Sequence, residues 1–222
     1  MSQALVVGSI NMDLVMRTER LPQPGETVVG GAFTVVPGGK GANQAAAVSR
    51  LGHPTALIGA VGSDDFGLAA LENLRGQGVH TATVRRVPES ATGVAMILVD
   101  AGGENTIVVA SGANHCLTPD DLTADPSPFA PAKVVGLQCE IPLPVVTAAI
   151  AMGRAVGAAT VLNAAPALPD LPVEAYQVDY LVVNEQEAEW LSGTRPADVD
   201  SALTAARVLL KRGSGCVIVT LG

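Results

Sequence analysis

The sequence predicts an α/β protein: a mostly parallel sheet with helices on both faces and a small accessory β unit. Three observations carry this. Short apolar runs have the length and β-branched content of strands buried on both faces. Helical patterns separate most of them, the order that yields parallel strands. Two further segments, 14–37 and 94–111, are rich in Thr, Val and Gly and carry no helical period.

Taken in order, residues 4–7 form the first buried strand and stop at Gly8. Segment 14–37 is extended and punctuated by Pro and Gly. Residues 42–51 form an Ala-rich helix that ends at Gly52, a favourable residue just past a helix end. Strand 55–61 leads to helix 65–75, for which Ser63, Asp64 and Asp65 offer capping oxygens. Segment 94–111 reads as strand, turn, strand, with Asp100-Ala101-Gly102-Gly103-Glu104 as the turn. Thr118 and Pro119 mark another helix start, as cap and first helical residue. Strand 133–137, helix 144–155, strands 160–162 and 180–183, helices 185–191 and 198–212, and strand 216–221 complete the chain. The two β segments are expected to pair as a small sheet outside the main one, its apolar face covering a ligand or a second subunit. With no repeat or low-complexity linker, 1–222 reads as a single domain.

Composition narrows the function. The 222 residues are 48% hydrophobic but only 3% aromatic, so Ala, Val and Leu must build the core. The net charge is −8, which argues against a nucleic-acid or acidic-membrane partner. The start MSQALVVGSINMD lacks a basic region before an apolar run, and no stretch reaches the ~18 apolar residues of a membrane helix. A cytoplasmic protein acting on small molecules is expected. Cys116, Cys139 and Cys216 are odd in number and form no CxxC, so they are expected as small buried hydrophobes rather than a disulfide or zinc framework.

In an open α/β sheet, ligands bind beyond the carboxyl ends of the strands. The polar residues there are Asn11 and Asp13, Glu140, Asn163, Asn184 and Glu187, and Thr220. Each alone also fits an ordinary strand-ending turn; their common edge is harder to dismiss. Pro37-Gly38-Gly39-Lys40-Gly41-Ala42-Asn43-Gln44 is a glycine cluster opening a helix, where free N–H groups and glycine backbone would admit a ligand. It matches neither the P-loop nor the dinucleotide fingerprint. Asn43 on the first helical turn points to a polyhydroxyl ligand. His53, His80 and His115 are isolated, Ser63 and Ser111 sit in no nucleophile elbow, and Trp190 is expected in the core.

Together these residues resemble the ribokinase-like sugar kinase family. The resemblance rests on Gly8-Ser9-Ile10-Asn11-Met12-Asp13, Gly38-Gly39-Lys40-Gly41-Ala42-Asn43-Gln44-Ala45, Leu137-Gln138-Cys139-Glu140, Asn184-Glu185-Gln186-Glu187 and Val219-Thr220-Leu221-Gly222, in family order along the whole chain. It implies ATP-dependent phosphorylation of the 5-hydroxyl of D-ribose. Asn11, Met12, Asp13, Gly39, Lys40, Gly41, Ala42, Asn43 and Glu140 would then form the sugar site. Asn184, Thr220, Leu221 and Gly222 would face ATP, and Glu187 would act on Mg²⁺. A monovalent cation, K⁺, and a homodimer formed through the β lid (segments 14–37 and 94–111) follow from the same resemblance. Ala164 stands where the family usually carries Pro. The family's second signature, GAGD, does not occur in 1–222. The C-terminal portion of the fold, with the general base, is therefore expected beyond residue 222. The alternatives are a truncated, inactive sugar-binding remnant, or a related kinase for another sugar or a nucleoside.

Overall fold

The computed structural model describes residues 4–222. In chain order the strands are β1 Ala4–Val7, β2 Asn11–Arg17, β3 Phe33–Gly38, β4 Thr55–Gly62, β5 Val79–His80, β6 Val84–Val87, β7 Gly93–Val99, β8 Asn105–Ala110, β9 Val134–Gln138, β10 Ala159–Asn163, β11 Tyr180–Asn184 and β12 Cys216–Thr220. The helices are α1 Lys40–Arg50, α2 Asp65–Gly76, α3 Pro119–Thr123, α4 Leu143–Ala155, α5 Glu185–Ser192 and α6 Val199–Leu210. Short 3₁₀ turns cover Gly112–Cys116 and Val173–Tyr176.

The main sheet runs β12-β11-β10-β9-β1-β4-β5, with β6 also on β4, and its described pairings are parallel. Alternate residues of one strand enter different cores. Leu5, Val7, Ile58 and Leu137 pack with Val145 and Ile150 of α4 and with Ala205 and Leu209 of α6. Val6, Leu57 and Val61 pack with Ala42 and Ala45 of α1 and with Leu71 and Leu74 of α2. The sheet is thus covered on both faces, which is why its strands are apolar at nearly every position.

The strand order reverses at β1. From β1 the chain proceeds to β4 on one side; β9, β10, β11 and β12 follow in succession on the other. Helices serving the two directions lie on opposite faces, so a crevice opens beyond the carboxyl ends of β1 and β9, the usual ligand position in such sheets.

A second sheet, β3-β2-β7-β8, stands apart from the first. Its register sorts the side chains. Val36, Asp13, Ala95 and Val109 make one cross-strand row, and Val35, Leu14, Met96 and Val108 the next, on the other face. Val35, Val36, Met96, Val108 and Val109 are all exposed, so both faces of this sheet are apolar and open.

Several elements differ from the sequence reading. Helix α1 starts at Lys40 rather than at residue 42, because Gly39 at φ 90° serves as its cap and Lys40-Gly41 already belong to the first turn. β5 and β6 are too short to leave a pattern. Trp190 is 58% exposed on α5 and lies outside the core. Cys139 is buried as expected, but Cys116 is half-buried and Cys216 exposed on β12, where alternate side chains face water.

Candidate active site

The site is built where β1 ends. The chain turns through Gly8-Ser9-Ile10 and enters β2 at Asn11, while the Gly38-Gly39 turn brings α1 against it. Gly39 and Gly41 are required by this contact. A β-carbon on Gly39 would lie 2.7 Å from Asn11 N, and one on Gly41 2.5 Å from Gly8 C. These glycines let two stretches of this chain's own backbone approach; Gly41 is buried and offers no opening to a ligand.

The first N–H groups of α1 are not free either. Lys40 N donates to Glu140 Oε2 at 3.0 Å, Gly41 N to Ser9 Oγ at 3.3 Å, and Ala42 N to Ser9 O at 2.8 Å. Ser9 Oγ in turn donates to Glu140 Oε2 at 2.6 Å. Gly39 has no side chain to cap the helix, so a carboxylate from the end of β9 does so, in the charge sense the helix dipole favours. Sequence reasoning gave Ser9 no role beyond its place in the Gly8–Asp13 motif, yet it is a fully buried hydroxyl at the centre of this contact.

What remains available is a compact set of donors and acceptors. Glu140 Oε1 faces Lys40 Nζ at 3.6 Å. Asp13, paired in register with Val36 and Ala95, has no hydrogen-bond partner among the described residues. Burial first, then the charge of Glu140, pushes the Asp13 carboxyl above the ordinary carboxylate range, and Lys40 partly offsets this. Asn11 is 3% exposed. A cavity of 350 Å³ lies beside it, lined by Asn11, Glu140, Cys139, Val109 of the second sheet, Leu143 and Pro166, among others. Its lining is largely apolar with a few convergent polar groups, the usual make-up of a small-molecule site. Burial, with Glu187 and Glu140 nearby, pushes the Cys139 thiol up to about 12, so this cysteine stays protonated and unreactive.

Not every residue of the sequence reading joins this set. Met12 and Ala42 are buried in the core cluster of α1 and α2. Asn43 is exposed and lines a separate cavity of 210 Å³ with Gly38, Asn73 and Gln77. Asn163 closes β10, and its side chain bonds no described residue.

The other group lies along the same edge, at β11 and β12. Asn184 and Glu187 form a reciprocal capping box on α5: Glu187 N donates to Asn184 Oδ1 and Asn184 N to Glu187 Oε2, each at 2.8 Å. Glu187 is buried, which leaves Oε1 as its unengaged oxygen. Thr220 pairs in register with Asn184, and Thr220, Leu221 and Gly222 are exposed. Among the described residues no three His, Cys, Asp or Glu side chains cluster as a metal site. β11 lies two strands from β9 and β12 three, about 10 and 14 Å away at ordinary strand spacing. Among the described residues no helix is long and apolar enough to cross a membrane.

The chain matches the pfkB family of carbohydrate kinases over residues 1–222. It is 41% identical to a ribokinase of Mus musculus over 219 residues, covering 98% of this chain and 68% of that protein. It is 38% identical to a deoxyribokinase of Salmonella typhi, covering 98% of this chain and 71% of that protein. Its structure superposes on Arabidopsis thaliana ribokinase complexed with ribose and ATP with a TM-score of 0.88 at 33% identity, covering all of this chain and 73% of that one.

Proposed function

This chain belongs to the pfkB family of carbohydrate kinases, and we propose that it is the sugar-binding majority of an ATP-dependent ribokinase. The observation that carries this reading is the polar group at the β1–β9 crevice: Glu140 and Asn11 line one small cavity, Lys40 Nζ lies 3.6 Å from Glu140, and Asp13 feels the charges of both Glu140 and Lys40. Carboxylates accept hydrogen bonds from hydroxyls, and ammonium and amide N–H groups donate to hydroxyl oxygens. Such a mixed set of donors and acceptors suits a polyhydroxyl ligand.

Asp13, Lys40, Glu140 and Asn11 would grip the sugar, with the backbone around Gly39 beside them; Asn43 is proposed as a sugar contact on the family resemblance alone. Met12, Gly41 and Ala42 would act from behind, by holding β2 and α1 in place. Asn184, Thr220, Leu221 and Gly222 would line the nucleotide side, where ATP supplies the phosphoryl group. Glu187 fits a hydrated Mg²⁺: one oxygen is committed to the capping box, so a single water-mediated contact suits it better than an inner-sphere cage. A K⁺ requirement is proposed on the family resemblance alone. No residue of 1–222 is assigned as the general base, since Asp13 and Glu140 are given to binding. The second sheet would close over the sugar with its Asp13–Val109 row and exclude water. Its other apolar row, Val35-Leu14-Met96-Val108, would meet a second copy in a homodimer.

The deoxyribokinase relative supports 2-deoxyribose as the competing substrate. ADP release with ribose, 2-deoxyribose, fructose and adenosine, each with ATP and Mg²⁺, tests the reading. Ribose is expected to be phosphorylated most efficiently. Sugar binding without ADP release by the 222-residue chain would mark it as a binding fragment. A preference for deoxyribose or adenosine would overturn the substrate. Asp13→Asn is expected to weaken ribose by about 1–3 kcal/mol in calorimetry, as for a charged hydrogen-bond partner lost from a partly buried site. The same variant should melt higher at neutral pH. The Asp13 pKa is raised in the fold, so ionisation works against folding, and that penalty grows as pH rises through the raised pKa. Melting curves at pH 4 and pH 7 should therefore diverge between the two proteins.

A further inference from the structure

Asn114 lies in none of the motifs above, yet it is 1% exposed and makes a closed set of hydrogen bonds at the edge of the sugar cavity. Its Oδ1 accepts from Ile10 N at 2.9 Å. Its Nδ2 donates to Ile10 O at 3.1 Å and to Asn11 Oδ1 at 2.7 Å. The two bonds to Ile10 settle the orientation of the Asn114 amide, because a backbone N–H can only donate and a backbone C=O only accept. The remaining N–H of Asn114 then has to point at Asn11, and only the oxygen of Asn11 can receive it. Asn11 Nδ2 is left over. It has no partner among the described residues, and the buried unpartnered side-chain polar atom found among them is Gln138 Oε1, not Asn11 Nδ2. Asn11 Nδ2 therefore reaches open space, in the residue that lines the 350 Å³ cavity.

The surroundings hold this arrangement tightly. A β-carbon on Gly93, the first residue of β7, would overlap both Asn11 Oδ1 and Asn114 Nδ2. Asn11 opens β2, Gly93 opens β7, and Asn114 follows the exit of β8. The cluster thus joins the roots of three strands of the second sheet to one side chain of the cavity.

We propose that Asn114 is a positioning residue that locks Asn11 with Nδ2 toward the cavity, so that the site recognises a ligand oxygen there as a hydrogen-bond acceptor. This deepens the sugar-binding reading and rests on it. The consequence is a selectivity rule. At the ligand position facing Asn11, an atom that only accepts is tolerated, and loss of the oxygen is not.

Asn114→Asp tests it. The aspartate keeps the size of Asn114 but has no N–H to give, so the Asn11 amide should turn over and donate to it. Asn11 Oδ1 then faces the cavity, and the site demands a donor. Matched 2- and 3-deoxy and deoxyfluoro riboses provide the readout, since fluorine accepts weakly and cannot donate. In the wild type, one deoxyfluoro sugar should bind several-fold tighter than its deoxy partner. In Asn114→Asp that preference should vanish or invert, and ribose itself should weaken about tenfold, the scale of one hydrogen bond lost from a buried site. A merely structural role would weaken all sugars alike and leave the fluoro-to-deoxy ratio unchanged, which would overturn the proposal. Side-chain amide NMR of the wild-type protein keeps the question decidable if the variant does not fold. Ribose should shift the Asn11 Nδ2 protons and spare those of Asn114; the reverse pattern would overturn the assignment. Wild-type protein that binds none of these sugars would instead sink the sugar-binding reading itself.

Discussion

The two ends of one sheet edge use the same residue types and opposite physics. At β1 and β9 the strands are largely buried, and Ser9, Asn11 and Asn114 are almost wholly removed from water. Polar groups there hold one another: Glu140 caps α1, Ser9 bridges it to Gly41, and Asn114 fixes Asn11. At β11 and β12, Asn184 and Thr220 are exposed and Ile218 is 44% exposed. The interaction there is a local capping box within four residues of sequence. Where groups are desolvated, removing one strands its partner; where they face water, solvent takes the place of a lost contact. Under the proposed function, selectivity would be concentrated at the β1–β9 end, and the β11–β12 end would present contact points.

The contrast can be broken or sharpened by substitution. The largest effect is expected from Gly41→Ala, whose new methyl would meet the Gly8 and Ser9 backbone at 2.5 and 2.6 Å. Backbone cannot rotate away as a side chain can, so a loss of about 3 kcal/mol in denaturant unfolding is expected, with sugar binding lost alongside. Next is Asp64→Ala. Asp64 caps α2 through Gly67 N at 2.8 Å and also takes Thr92 N at 2.8 Å and Thr92 Oγ1 at 2.6 Å, just before β7 leaves for the second sheet. About 2 kcal/mol should be lost. Burial alone would raise the Asp64 pKa, but the bonds from Thr92 and Gly67 outweigh it and hold the group below the ordinary range. Its stabilisation is therefore present above the unfolded pKa and disappears as pH falls through the folded one. Acid titration of the unfolding free energy should show that loss in the wild type and not in Asp64→Ala. The smallest effect is expected from Asn184→Ala, about 1 kcal/mol for an exposed cap. If Asn184→Ala proved as costly as Gly41→Ala, the contrast between the two ends would fail.

Much of this was legible in the residues. The apolar runs marked the long strands of the main sheet, and the alternation with helices implied its parallel order. The polar strand ends named Asn11, Asp13, Glu140, Asn184 and Glu187 as candidates before any geometry. Asp64 and Thr118 read as caps and serve as caps. The glycine cluster was legible as special, but its reason was not. It appeared to leave N–H groups for a ligand, whereas the fold fills them with Ser9 and Glu140. Trp190 and Cys216 were misplaced because apolar character describes a residue's preference, not which face of its element finds a partner.

What the sequence determined by itself is local: periodicities of two and 3.6 residues, turn chemistry, and motifs whose members are neighbours in the chain. What the tertiary structure decided is pairing across long separations. Ser9 meets Glu140 over 131 residues and Asn11 meets Asn114 over 103. No short-range pattern encodes such meetings, because they depend on how strands order in the sheet. Nor does the sequence say which atom of an amide faces a cavity. That is set by the partners its other atom has already taken, and hydrogen bonds are directional, so the choice exists only once the chain has folded.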